Sequence, residues 1–220
     1  MKVINLSDTD SLIQQYLIEL RDIDIQLDAM RFRNNLKRIG QIMAYEMSKE
    51  LIYGDMEVET QLGISLSRAI AIQPVLATIF RAGIPMHEGI LSFFDQADNA
   101  FISAYRKEHK DGSFTIQLDY ISSPDLEGRT LIICDPMLAT GHSLVAALDG
   151  LTALSKPEDI FISAIIASQP GIEYVKRHIP NATLWTAAID EELTAKSYIV
   201  PGLGDAGDLA FGPKQFGDKV

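Results

Sequence analysis

The sequence predicts an α/β fold, a parallel sheet flanked by helices, and three observations lead to it. Beyond residue 60, short apolar runs rich in β-branched residues alternate with stretches of helical spacing. That alternation is expected of strands buried on both faces between crossover helices. Between Tyr105 and Pro124, polar and apolar residues alternate around Lys110, Asp111, Gly112 and Ser113, which reads as a β-hairpin arm projecting from the sheet. Apolar residues make up 47% of the chain and charged residues 22%, enough to build a sizeable core.

Taken in order, the first sixty residues read as helical, with a helical N-terminal segment over about 1–55. Leu12, Ile13, Tyr16, Leu17 and Leu20 recur at three- and four-residue spacing behind Ser7 or Asp8 as N-cap,. Phe32, Leu36, Ile39, Met43 and Met47 repeat the pattern on a second helix, whose basic side carries Arg31, Arg33, Lys37 and Arg38. Ala69–Phe80 holds the first strand and Ile84–Phe94 a helix, followed by a strand over Asn99–Tyr105 and the arm over about 105–124. Thr130–Cys134 is a third strand, and a polar loop leads into a helix from about Ser143 to Leu154. Ile160–Ala167 is a strand, Gly171–His178 a short helix, Thr183–Ile189 a fifth strand, and a glycine-rich loop spans about 190–212. Met30, Met43, Met47 and Met56 read as core or interface packing. No repeat or linker interrupts this order, so one domain over 1–220 is expected.

With 19 basic and 30 acidic residues the formal charge is −11, which repels nucleic-acid backbones and anionic lipid surfaces and argues against both as partners. An anionic ligand must then be held by oriented amides or a few placed arginines. The single cysteine, Cys134, lies in an apolar strand and reads as a small hydrophobe,. The N-terminus lacks the basic start and apolar stretch of a signal peptide. The run Ala69–Phe80, broken by Gln73 and Pro74, is too short to span a bilayer,. A cytoplasmic location is expected.

Ligands of parallel sheets sit beyond the carboxyl ends of the strands, so the loops after Phe80, Cys134 and Ile189 are the candidates. The second reads Asp135, Pro136, Met137, Leu138, Ala139, Thr140, Gly141, His142, Ser143 and enters a helix directly. A helix N-terminus offers unpaired amides and partial positive charge to a phosphate. Thr140 and Ser143 add hydroxyls, and Gly141 admits close backbone approach. Asp135 suits ribose hydroxyls, or water on a metal ion. The plainer alternative stands beside this one: Thr140 or Ser143 merely caps a helix, and Asp135 merely ends a strand. A Walker loop is excluded, since no G-x-x-x-x-G-K-[ST] occurs,.

The third loop contains Gly202, Gly204 and Gly207 with Asp205 and Asp208. It matches G-x-G-x-x-G literally, but that fingerprint must open a helix within a βαβ unit. Only 13 residues follow Gly207. A flexible wall that reads a planar amide-bearing ligand through its backbone fits better. Arg81 ends a strand and Arg106 begins the arm; either could be an ordinary surface arginine, or serve a leaving group that gains negative charge. Lys107, Lys110 and Arg129 are weaker members of that patch. His87, His109 and His178 read as packing or surface residues, no histidine pair has metal-ligand spacing, and no nucleophile–base arrangement is evident.

An apolar strand followed by an acid and Ala139, Thr140, Gly141 resembles the 5-phosphoribosyl-1-pyrophosphate (PRPP) signature of type I phosphoribosyltransferases. The variant from Asp135 to Gly141 is similar to the uracil phosphoribosyltransferases in particular, as is the stretch Tyr198–Asp208. The resemblance implies a type I phosphoribosyltransferase-like fold, Mg²⁺ as cofactor, and transfer of the phosphoribosyl group of PRPP to uracil, giving UMP in pyrimidine salvage. It implies PRPP contacts from Arg81, Arg106, Asp205 and the whole run Asp135–Ser143, His142 included. It implies uracil contacts from Ile199, Gly204, Asp205 and Ala206, with Asp205 the candidate catalytic residue. It also implies a homo-oligomer, dimer or larger, while activation by GTP varies among relatives and no pattern here decides it. The chain differs from the family in carrying His142 where a second glycine is usual, and a left-handed backbone there would be costly. Two other functions remain open: a non-catalytic regulator sensing PRPP or a nucleotide, and a phosphoribosyltransferase for another base.

Overall fold

The structure, a computed structural model, describes residues 1–108 and 114–213; side chains are described at neither 106–108 nor 114. The chain opens with strand β1 (Lys2–Asn5), then helices α1 (Leu12–Arg21) and α2 (Ala29–Ser48), then the strands β2 (Tyr53–Thr60) and β3 (Gly63–Ile70). Strand β4 (Val75–Phe80) leads to helix α3 (Gly83–Leu91), followed by β5 (Asp98–Glu108) and β6 (Phe114–Ser122). Next come β7 (Thr130–Cys134), β8 (Met137–Leu138), α4 (His142–Thr152), β9 (Asp159–Ser168), α5 (Gln169–His178) and β10 (Thr183–Asp190). The short β11 (Glu192–Leu193), β12 (Ile199–Val200) and α6 (Ala206–Phe211) complete the described chain.

Among the described residues eight strands form one sheet in the order β1-β10-β9-β7-β4-β5-β6, with β8 alongside β9. Every pairing in it is parallel except β5 with β6. The expected α/β fold is therefore present, its parallel sheet carrying one antiparallel strand, β6, at the edge. Successive side chains of a strand face opposite sides, and β7 shows the consequence. Leu131 and Ile133 join the core under α4 and α5, while Ile132 and Cys134 join the core under α1, α2 and α3. Both faces are covered, which is why its sequence is a continuous apolar run.

The helix α2 buries Phe32, Leu36, Ile39, Met43 and Met47 and starts at Asp28, whose carboxylate accepts from the amides of Met30 and Arg31, each at 3.1 Å. Met30 and Met56, by contrast, are exposed. Helices α2 and α3 cross at two glycines. A Cβ on Gly40 would strike the Met86 carbonyl oxygen, and one on Gly89 the Lys37 carbonyl oxygen.

The N-terminal region departs from an all-helical reading. Lys2–Asn5 is an edge strand paired with β10, and its four residues are too few to show a period. The cap of α1 is Ser11 in a reciprocal capping box with Gln14, not Ser7 or Asp8, which lie in a 3-10 turn before it,. Residues 53–70 form an antiparallel hairpin, with Gly54, Met56 and Val58 alternating against Asp55, Glu57 and Glu59. The two-residue period is present along both strands, Ile64 and Leu66 alternating against Ser65 and Ser67 in β3, and the helical reading of the first sixty residues passes over it. Ala69 and Ile70 belong to this hairpin, so the first predicted strand shortens to Val75–Phe80. The arm is present as β5 paired with β6, but part of it lies on the sheet: Leu118 and Ile121 pack into the core beneath α4. The turn at Lys110–Ser113 and His109 lie outside the described residues.

Candidate active site

Because β4, β7 and β10 run parallel, their carboxyl ends open on one edge, and the three candidate loops converge there. The loop after β7 is anchored on both sides. Its Pro136 carbonyl accepts from the amides of Ile165 and Ile166 at 2.9 and 3.0 Å, and β8 pairs with β9. The Ala139 carbonyl accepts from the Ser168 hydroxyl at 2.5 Å, and Gly171 lies so close beneath Ala139 that a Cβ would overlap its oxygen.

Gly141 is the N-cap of α4, with φ +81° and no side-chain cap. Neither Thr140 nor Ser143 caps the helix, so that half of the plainer reading does not hold. The left-handed position is Gly141, whereas His142 already has helical backbone. Histidine at 142 therefore carries no cost in backbone conformation,. The His142 ring stacks on Tyr174 with centroids 4.2 Å apart, directing it toward α5.

Two adjoining clefts occupy this edge. The first, about 250 Å³, is lined by the loop from Asp135 to Leu144, apart from Pro136 and His142, and by Lys196, Ser197, Tyr198 and Asp205. The second, about 190 Å³, is bordered by Ala82, Met137, Ala139, Ile199, Gly204, Asp205, Ala206 and neighbours. Met137, Ala139, Ser197, Tyr198 and Asp205 line both. A mainly polar cleft and a mainly apolar slot thus share a wall. Pro136 is buried, with its carbonyl spent on β9.

The remaining loop curls back on itself. Gly202 and Gly204 have φ of +55° and +96°, a region that only glycine adopts freely,. Asp205 caps α6, its carboxylate accepting from the Asp208 amide at 2.9 Å. Arg81 reaches the same helix, donating to the Asp208 carboxylate at 2.7 Å and to the Gly212 carbonyl at 3.1 Å. Its Nη2 and an Asp205 oxygen flank Gly207, so that a Cβ there would lie 3.5 and 3.2 Å from them. Arg81 therefore stands beside the clefts rather than lining them. Arg106 lies in β5 opposite Ile116, and its side chain is outside the described residues.

Burial raises the Asp135 carboxyl from its ordinary 3.8 to about 6, opposed in part by the Met137 amide at 3.4 Å. Burial, and secondarily Asp135, also pushes the neighbouring Cys134 thiol up, which keeps it protonated and unreactive,. Sequence reasoning does not reach Lys196, Ser197 or Ala82 as lining residues; their one signal is adjacency to the loops already singled out. Among the described residues no three metal-ligating side chains gather, and no helix is long and apolar enough to cross a membrane.

Comparison with known proteins gives a consistent result. Residues 7–213 match the family model described as uracil phosphoribosyltransferase. A Porphyromonas gingivalis protein named uracil phosphoribosyltransferase is 48% identical over 97% of this chain and 100% of its own. A Thermococcus gammatolerans protein of the same name is 38% identical, covering 91% of this chain and 89% of its own. A solved Aquifex aeolicus protein superposes with a TM-score of 0.86 at 28% identity, over 97% of this chain and 100% of the other.

Proposed function

The chain belongs to the uracil phosphoribosyltransferase family, and from that premise we infer that it joins uracil to PRPP, giving UMP and pyrophosphate. The observation that carries the reading is the shared wall of the two clefts: a phosphate on the α4 amides and a base in the glycine-lined slot would meet across Asp205.

In this proposal the PRPP 5-phosphate accepts hydrogen bonds from the amides between Ala139 and Ser143 and from the Thr140 and Ser143 hydroxyls. Asp135 accepts from the ribose hydroxyls. Arg81 and Arg106 face the pyrophosphate, stabilising the charge it gains on leaving; Arg81 must first leave Asp208. Ile199, Gly204 and Ala206 present backbone groups to the pyrimidine. As the bond from the anomeric carbon to pyrophosphate oxygen breaks, the uracil nitrogen bonds to that carbon and its proton departs. Asp205 stabilises the transient positive charge or accepts that proton.

The donor set fits Mg²⁺ carried largely by substrate oxygens and water, because Asp135 and Asp205 offer two carboxylates but no closed oxygen cage,. When bound, the ion neutralises pyrophosphate charge. The C-terminal loop and the arm would exclude water and limit hydrolysis of PRPP. The same proposal takes the enzyme as cytoplasmic and a dimer or larger.

The test supplies PRPP, Mg²⁺ and single bases and measures each nucleotide, with and without GTP. UMP from uracil alone is the expected product. A regulator would bind PRPP and form no nucleotide, and an enzyme for another base would leave uracil unused.

A further inference from the structure

We propose that Arg21 and Asp190 form a clamp behind the glycine-rich loop that positions it for the base, without touching substrate. The proposal rests on the loop being the uracil site. Arg21 is the last residue of α1, and Asp190 ends β10 with its side chain 7% exposed. The two pair in bidentate fashion at 2.8 Å for each bond. Arg21 Nη1 also donates to the Gly202 carbonyl at 2.9 Å, and Asp190 Oδ2 accepts from the Gly202 amide at 2.9 Å.

Both polar groups of Gly202 are therefore committed to one ion pair, and the orientation of its backbone is fixed by it. Gly202 is in turn pressed against the Ile199 carbonyl, where a Cβ would overlap the oxygen. Leu203, next in the chain, is buried. A rotation at Gly202 thus displaces Ile199 on one side and Gly204 on the other, and both border the slot. Neither Arg21 nor Asp190 does.

Stability alone does not require this arrangement. A buried ion pair can often be replaced by apolar residues of similar volume without loss, but such residues cannot satisfy the Gly202 amide and carbonyl. Lysine cannot substitute either, because one ammonium does not reproduce three bonds from a planar fork.

The experiment measures UMP formation with uracil and PRPP varied separately, in the wild type, in Arg21→Lys and in the double variant Arg21→Met/Asp190→Leu. We expect the KM for uracil to rise about tenfold in both variants, the loss of roughly one well-placed hydrogen bond. The KM for PRPP should stay within about twofold. The double variant leaves the Gly202 amide and carbonyl unpaired and should lose several degrees in Tm, whereas Arg21→Lys keeps a cation beside Asp190 and should melt closer to the wild type; the split between the two KM values separates positioning from folding. An unchanged uracil KM, or equal rises for uracil and PRPP, overturns the clamp. If the double variant does not fold, Arg21→Lys decides by the same two constants. A wild type that makes no UMP instead overturns the assignment of the loop, a distinct result.

Discussion

Replacing Asp135 with asparagine should stabilise the free protein at neutral pH while impairing the reaction. Desolvation lifts this carboxyl from 3.8 to about 6, so the folded chain favours its neutral form more than the unfolded chain does. Below about pH 4 the carboxyl is protonated in both states and nothing is lost. As pH climbs from about 4 to about 6 the unfolded carboxyl ionises freely and the folded one resists, so stability falls; above about 6 the penalty is complete. A gap of roughly two pH units corresponds to about 3 kcal/mol. At about 2–4 °C per kcal/mol for a chain of this size, the variant should gain roughly 6–12 °C in Tm at pH 7.5 over its own difference at pH 4. Asparagine has nearly the same shape and never ionises, so groups shared by both proteins cancel in the comparison. The assay is a series of paired thermal melts without substrate from pH 4 to pH 8. A difference between the two proteins that stays flat over that range would refute the reasoning, because a desolvated carboxylate must titrate. Activity should fall in the same variant, since an amide accepts from ribose hydroxyls more weakly than a carboxylate.

Three other outcomes are expected. Asp205→Asn keeps an oxygen to cap α6 and should melt like the wild type, yet turnover should drop by about 100-fold or more; near-normal turnover in steady-state assays removes the carboxylate from the mechanism. Arg106→Ala should raise the KM for PRPP by about tenfold or more while leaving that for uracil nearly unchanged, and a PRPP titration showing wild-type dependence makes this arginine irrelevant. Gly40→Ala forces a methyl group into the Met86 carbonyl at the crossing of α2 and α3, which should cost about 2 kcal/mol or more; urea unfolding with an unshifted midpoint contradicts that close approach.

Much of this protein was determined locally, and those parts are legible in one dimension. The strand Thr130–Cys134 matches its predicted limits, because a run buried on both faces must be apolar at every position,. The helix α2 shows itself through a stripe that one face must bury,. The loop from Asp135 to Ser143 is recognisable because an acid, a glycine and the start of a helix are consecutive residues. Other features are pairings between distant segments, and a local pattern carries no record of its partner. Strand β1 exists because Lys2–Asn5 lie against Thr183–Thr186, while four isolated residues specify neither helix nor strand. The hairpin 53–70 does alternate along each strand, but Met56 and Val58 lie opposite Ser67 and Ser65 while Glu57 and Glu59 lie opposite Leu66 and Ile64, so no single apolar face forms and only the pairing reveals it. Arg81 is visible as a cation in the sequence, but its hold on Asp208 depends on α6 folding back to the end of β4. The Arg21–Asp190 pair joins residues 169 apart. Only the tertiary fold could bring them to opposite sides of one glycine, because hydrogen-bond geometry is met in space and leaves no spacing along the chain.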